Sequence, residues 1–331
     1  MPARCTASTA SAAYTWSAGK ARYSIWMLAW RARSPDAGLG AHVARFVLSG
    51  IAMDSRLSPQ MIELAPHHKI GLSVSCPLLT AAGCFGYGIE YAGLVDASRL
   101  GAIVTNPVSL RPQRGAAQPR LVELSEGCII DVGGQNPGVR QVIRRYAGAW
   151  RRLGAPVIVH LAPDAPSDVT RTARALATTG AVAGLEVGLP DGVLPADAGH
   201  MIAAARESEL PVLARVPLTN GIDVAVACAE AGADALVVAA PPAAAAYHPS
   251  GRLVTGRLYG RLVHALVLPL LRQVRSVVSL PLVASGGVHD LAGVRAFLAA
   301  GAVAVQVDSA IFRDPSLLAR LADDLAVATE K

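Results

Sequence analysis

From about residue 70 onward, short runs of apolar and β-branched residues alternate with longer Ala/Leu/Arg-rich stretches of helical period. The apolar runs at 79–82, 102–105, 157–161, 184–187, 212–216, 235–239, 282–284 and 304–307 predict eight strands. The intervening stretches predict helices over 138–153, 167–179, 196–207, 222–231, 258–274, 291–300 and 315–327. Each predicted strand is nearly all apolar, the pattern of a parallel strand covered on both faces. Eight strand–helix alternations over about 260 residues fit a (β/α)8 TIM barrel of class α/β. A doubly wound open sheet is the alternative. Gly232 and Gly301 each fall just past a predicted helix and just before a strand, where a left-handed cap suits glycine.

Residues 1–60 do not share this pattern. They are rich in Ala, Ser and Arg and hold Trp16, Trp26 and Trp30, three of the four tryptophans. The expected organisation is therefore an N-terminal extension, 1–60, followed by a barrel domain, 61–331. A start placed too far upstream, with Met53 or Met61 as the first residue, a flexible or partly helical extension, and a targeting segment are three open readings of the first part. It also carries most of the charge. Residues 1–56 contain seven Lys/Arg against two acids, out of a net charge of +6 for all 331 residues. The barrel segment is thus close to neutral, which gives no electrostatic case for nucleic-acid binding. Hydrophobic residues make up 52% and charged residues 16%, enough for a large core, and no run reads as a membrane span. Cys5, Cys76, Cys84, Cys128 and Cys228 form no CxxC pair and no metal-ligand spacing. Free thiols in a reducing cytoplasm are expected.

Candidate chemistry collects at predicted strand ends. Strand seven runs into Ser285-Gly286-Gly287 and strand eight into Asp308-Ser309-Ala310. In many barrels these two loops present backbone N–H groups to a phosphate, and paired glycines leave room for it. A tight turn alone is the plainer reading. The Asp308 carboxylate would repel a phosphate unless it points away or pairs with a cation such as Arg257, Arg261 or Arg313. Cys84 is a weak candidate for a reactive thiol, against a small buried residue. His160, at the end of strand three, is a weak catalytic candidate, against a polar lining role. Glu186 is expected to point outward to a helix. His248 and Tyr247 fall in a long loop after strand six, either a lid or a solvated loop.

Three segments carry a family resemblance: Ala81-Ala82-Gly83 with Phe85-Gly86-Tyr87-Gly88; the stretch Asn106, Ser109, Pro112, Gly115, Pro119, Arg120; and Gln135-Asn136-Pro137-Gly138. In order and spacing, from Ile62 to the C-terminus, the chain resembles the class 1 (soluble) dihydroorotate dehydrogenases, as a divergent member. The resemblance implies an FMN-dependent barrel that oxidises dihydroorotate to orotate in pyrimidine biosynthesis. It implies cofactor contacts at Ala81, Ala82, Gly83, Asn106, His160, Arg215, Gly260, Gly286, Gly287, Asp308 and Ser309, and substrate contacts at Gln135 and Asn136. It also implies a cytoplasmic enzyme, a homodimer, and in some members an electron-transfer subunit.

The departures fall on the polar groups of that chemistry. Asn106 stands where the family has a lysine, His160 where it has an asparagine, and Arg215 where it has a second lysine. Ile130 stands at a substrate asparagine, and Ala240-Pro241 at an asparagine–threonine pair. Pro190 matches, but Leu189 precedes it where the family has its catalytic cysteine. Two alternatives follow: a non-catalytic or differently specific paralogue, and a phosphate-binding barrel without flavin.

Overall fold

The computed structural model describes residues 61–162 and 165–329. The expectations for residues 1–60 lie outside the described residues. The described chain enters through two short antiparallel strands, β1 (Ile62–Glu63) and β2 (Ser73–Val74). Glu63 ties their connection together by accepting N–H bonds from Ala65 at 2.8 Å and Leu72 at 2.5 Å. Leu64, Ala65, Leu72 and Val74 are buried in one cluster with inward residues of the barrel such as Leu79, Val104, Ile158 and Leu213. The hairpin therefore stoppers one end of the barrel.

The barrel strands are β3 (Leu78–Thr80), β4 (Ile103–Val104), β7 (Val157–Leu161), β8 (Gly184–Gly188), β9 (Val212–Val216), β10 (Ala235–Val238), β13 (Leu282–Ser285) and β14 (Ala304–Val307). All their pairings are parallel, in the order β3-β14-β13-β10-β9-β8-β7-β4. A parallel bridge between Leu79 and Ala102, with Gly101 N–H donating to Leu78 O at 2.8 Å, joins β4 back to β3. The sheet is closed, which rules out the open doubly wound alternative. The eight barrel strands coincide with the expected ones to within two residues at each end. The helices α1 (Val139–Trp150), α2 (Pro166–Ala177), α3 (Pro195–Arg206), α4 (Gly221–Glu230), α5 (Val263–Val277), α6 (Leu291–Ala299), α7 (Ala310–Arg313) and α8 (Leu317–Thr329) follow the strands.

Side chains alternate across each strand. Val157, Val159 and Leu161 of β7, Leu185 and Val187 of β8, and Val212, Ala214 and Val216 of β9 pack in the helix-facing core. The opposite parity points into the barrel. Its deeper positions are apolar, and its upper positions are His160, Glu186, Arg215, Ser285 and Gln306, all buried. Glu186 is thus turned inward, contrary to the expected outward pairing, because it shares parity with Gly184 and Gly188 while Leu185 and Val187 take the helix side.

A second sheet, not anticipated from the sequence, sits on two excursions from the barrel. The hairpin β5 (Leu121–Leu124) and β6 (Gly127–Ile130) follows β4; the hairpin β11 (Ala243–Tyr247) and β12 (Leu253–Tyr259) follows β10. They join through antiparallel β6–β12 pairing, Arg257 opposite Ile130 and Tyr259 opposite Cys128. Leu258, placed at a helix start by the sequence pattern, lies in β12. Its backbone is committed to the ladder, and α5 begins only at Val263. Gly260 makes the transition possible: at φ +143°, a Cβ there would collide with Glu126 O.

The Phe85–Gly88 turn is fixed from below by α1. Trp150 Nε1 donates to Tyr87 O at 2.8 Å, and the Tyr87 and Tyr146 rings stack at 4.6 Å. Phe85 is buried and stacks on Tyr91.

Candidate active site

A cavity of about 640 Å³ opens at the carboxyl ends of the barrel strands, the end at which barrels of this kind hold ligands. Its floor is the polar layer: His160 and Arg215 reach it from β7 and β9. Ala82, Gly83 and Pro107 form one side, Gly188–Asp191 and Ala240-Pro241 the other, and Ile130, Thr255, Gly256, Arg257 and Tyr259 of the second sheet form the roof. A Cβ at Gly83 would meet nothing within 4 Å, so the glycine leaves open space on the cavity side.

The floor is a connected network centred on Glu186. His160 Nδ1 lies 2.8 Å from Glu186 Oε1. Gln306 Nε2 donates to Oε2 at 2.5 Å, and Arg215 Nη1 stands 3.6 Å from Oε1. Arg215 Nη2 also donates to Ser285 Oγ at 3.3 Å. Burial pushes the Glu186 carboxyl up. The hydrogen bond from His160, the charges of Arg215 and His160, and the bond from Gln306 outweigh it and hold the group below the usual carboxylate range. An ionised Glu186 accepting from Nδ1–H fixes the imidazole so that Nε2 carries the lone pair. That edge of the ring borders Gly188: a Cβ there would stand 2.6 Å from both Cε1 and Nε2 of His160. Gly188→Ala is accordingly expected to displace the imidazole from its bond to Glu186 while leaving the fold intact. A loss of turnover with an unchanged circular dichroism spectrum would show it; unchanged turnover would contradict it.

Two polar atoms of this floor are buried without a partner, Arg215 Nε and Gln306 Oε1. Leaving such atoms unpaired costs roughly 1–3 kcal/mol each; of the two residues, Arg215 lines the cavity, whereas Gln306 is fully buried and outside the lining. At the rim, Arg257 pairs with Asp191 and donates to Pro241 O at 3.1 Å, strapping the roof to the loop after β8.

Of the residues singled out in the sequence, Ala82, Gly83, His160 and Arg215 line the cavity, and Ala81 lies in the same turn, its N–H donating to Val307 O at 2.9 Å. Gly260, Gly286, Gly287, Asp308 and Ser309 come together at the ends of β12, β13 and β14. Gly287, at φ +69°, packs so closely that a Cβ would collide with His264 N and stand 2.9 Å from Gly260 O. Its N–H donates to Asp308 Oδ2 at 3.2 Å. None of the three arginines expected to offset Asp308 does so: Arg257 pairs with Asp191, Arg261 with Asp290, and Arg313 is exposed.

Gln135 and Asn136 are not brought to the cavity. Gln135 accepts a bond from Arg120, and Asn136, buried, is held by Ser109, Gly134 and Gly138. They brace a loop whose glycines, Gly133 and Gly134, line the cavity instead. Asn106 is outside the lining; its N–H donates to Gly86 O at 2.6 Å, and its Oδ1 is buried without a partner. Cys84 is sealed in the core, and burial followed by the nearby Asp308 charge pushes its thiol far up, so it supplies no thiolate. His248 and Tyr247 sit at the exposed tip of the β11–β12 hairpin. The sequence does not single out Gln306 or His289, and it offers Arg257 only as a partner for Asp308. Gln306 is legible as the inward polar residue of Ala304–Val307, whereas the Arg257–Asp191 pair depends on a tertiary contact.

The fold and site define a closed barrel with a polar floor, an apolar wall and an inserted roof. A sequence profile of dihydroorotate dehydrogenases matches residues 67–192, and one of nitronate monooxygenases matches residues 196–314. The catalytic subunit of dihydroorotate dehydrogenase B (NAD(+)) from Pelobacter propionicus is 34% identical over 273 residues, covering 77% of this chain and 90% of that protein. Its counterpart from Desulforudis audaxviator is 35% identical, over 77% and 89%. A solved DHODH from Eimeria tenella, in complex with ferulenol, superposes with a TM-score of 0.66 at 18% identity, over 80% of this chain and 83% of that one. That last likeness concerns the fold. Continuous relationship over three quarters of the chain places the protein: it belongs to the class 1 dihydroorotate dehydrogenase family, as a divergent member.

Proposed function

We propose that this protein is a flavin-dependent dehydrogenase in which His160, oriented by Glu186, accepts the substrate proton. The observation that carries this reading is the His160–Glu186–Arg215 network at the cavity floor. The family cysteine is absent, Cys84 is buried away from the cavity, and His160 is the histidine among the lining residues. Glu186 stays ionised and stabilises the imidazolium that forms; Arg215 and Gln306 hold Glu186 in place. Arg215 and the small Ala82-Gly83 turn suit the ring of a flavin, with the unpaired Arg215 Nε as a polar partner for it. Bound FMN, the flavin implied by family membership, would supply the hydride acceptor. The fit is less simple at the phosphate end, where Asp308 already takes the Gly287 amide.

The relatives named as catalytic subunits of dihydroorotate dehydrogenase B support dihydroorotate oxidation, in pyrimidine biosynthesis, as the reaction, and an electron-transfer subunit as the partner. A homodimer working in the cytoplasm completes the proposal. No helix among the described residues is long and apolar enough to cross a membrane. A second reading, altered specificity, is favoured by one observation. Ile130, Leu189, Ala240 and Pro241, at positions where the family places polar or reactive groups, all line the cavity and cannot hydrogen-bond a pyrimidine through their side chains. The test is the visible spectrum of the purified full-length protein, followed by anaerobic titration with dihydroorotate. A flavin spectrum bleached by dihydroorotate is expected. A flavin spectrum that dihydroorotate leaves unchanged selects the second reading. A colourless protein that takes up no flavin overturns both.

A further inference from the structure

Taking the cavity as the substrate site, as in the reading above, we infer that Arg257 is the specificity-determining anchor for a carboxylate on the substrate, gripping it from the roof through its Nε–Nη2 edge. Arg257 sits in β12. It stands opposite Ile130 of β6 and Ala243 of β11, and it shares its face of the strand with Thr255 and Tyr259. All of these line the cavity. The guanidinium is therefore carried on the cavity side of the roof. Two neighbours hold it by one nitrogen: Nη1 pairs with Asp191 and donates to Pro241 O at 3.1 Å. Among the described residues no hydrogen bond uses its Nε or Nη2. The held nitrogen and the open edge lie on different sides of one planar group, so holding the first orients the second. Two parallel N–H groups on such an edge match the two oxygens of a carboxylate.

The rest of the chamber leaves this role to Arg257. Arg215, the other arginine of the lining, is buried and spends its charge on Glu186. His160 is bound to the same carboxylate. Ile130, Leu189, Ala240 and Pro241 give a ligand apolar contact and no side-chain hydrogen bond. An anion entering the cavity thus meets its unspent charged donor at the roof and apolar walls around its body. One short loop links this anchor to the proton acceptor: it starts at Gly188, against the His160 ring, and reaches Asp191, the partner of Arg257. Asp191 acts in two opposed ways. It orients the guanidinium, and its own charge opposes an arriving carboxylate. Asp131, the other acid of the lining, accepts from Gly133 N–H at 3.0 Å.

The test is calorimetric titration of the full-length protein with two carboxylates, orotate and benzoate, and their uncharged counterparts, uracil and benzamide, in wild type, Arg257→Gln and Asp191→Asn. Arg257→Gln is expected to weaken both carboxylates about ten- to a hundredfold, the worth of a charge-assisted contact, and to leave uracil and benzamide unchanged. Asp191→Asn keeps an acceptor for Nη1 and removes the opposing charge, so both carboxylates should bind more tightly. The opposite signs matter, because a strap that merely holds the roof in place would weaken charged and uncharged ligands together in both variants. Equal effects on carboxylates and uncharged counterparts in Arg257→Gln, carboxylate binding unchanged or weaker in Asp191→Asn, or no binding of either carboxylate to wild type overturns the inference. If Arg257→Gln does not fold, Arg257→Lys decides: it keeps a charge for Asp191 but loses the planar fork, and should weaken the carboxylates alone. Calorimetry reads binding without flavin reduction, so a failure here leaves the flavin reading standing, and a colourless protein in the spectral test fails that reading alone.

Discussion

Replacing Glu186 with alanine is expected to destabilise the barrel by about 3–5 kcal/mol, the usual cost of removing one partner from a buried charge network. Glu186 is fully buried and is the shared acceptor of His160, Gln306 and the Arg215 charge. Its removal leaves the Arg215 guanidinium, 5% exposed, with the Ser285 hydroxyl at 3.3 Å as its remaining hydrogen-bond partner. In thermal unfolding this corresponds to a fall on the order of 10 °C for a barrel of this size. The pH dependence has a definite sign. The folded carboxyl sits below its unfolded value, so its contribution is fully present above the unfolded value of about 4.3 and is lost as pH falls through the folded one. Wild type and Glu186→Gln should therefore differ in stability at pH 7 and converge in strong acid. An alanine variant that melts with wild type would remove the network from the account of stability.

The second large effect belongs to His160. His160→Gln keeps a polar side chain of similar reach but removes the proton acceptor. A general base contributes about 10²–10⁴ in rate, so flavin reduction by dihydroorotate should slow by that factor. Because the substituted side chain would still fill the floor, flavin binding and the melting temperature should change little. Anaerobic stopped-flow reduction, compared at saturating substrate, separates a slower step from weaker binding. Reduction at the wild-type rate would exclude His160 as the base.

The barrel is readable because its strands are short, apolar and evenly spaced, and periodicity records such elements directly. The expected limits of Val157–Leu161, Val212–Val216 and Ala304–Val307 are the observed ones. The roof is not readable. Strand β11, Ala243–Tyr247, carries little strand signal of its own and is held by pairing with β12, which pairs with β6, far away in sequence. At the site, His160 and Arg215 stand out as polar residues in apolar strands. Glu186 stands out too, but its inward direction runs against expectation: parity with Gly184 and Gly188 decides it, and two glycines give no hydrophobic signal. Gln135 and Asn136 match a family motif whose conspicuous part here is a loop brace.

The β6–β12 ladder also bears on how the molecule assembles. Ile130 and Arg257 face each other across a chain separation that covers half the barrel. Contacts so distant in sequence close late, because loop entropy must be overcome first. During synthesis the first hairpin, β5–β6, waits with one edge unpaired until β12 emerges. The ligand chamber is therefore among the last parts of the molecule to acquire its shape, and its completion reports that both halves of the chain have met.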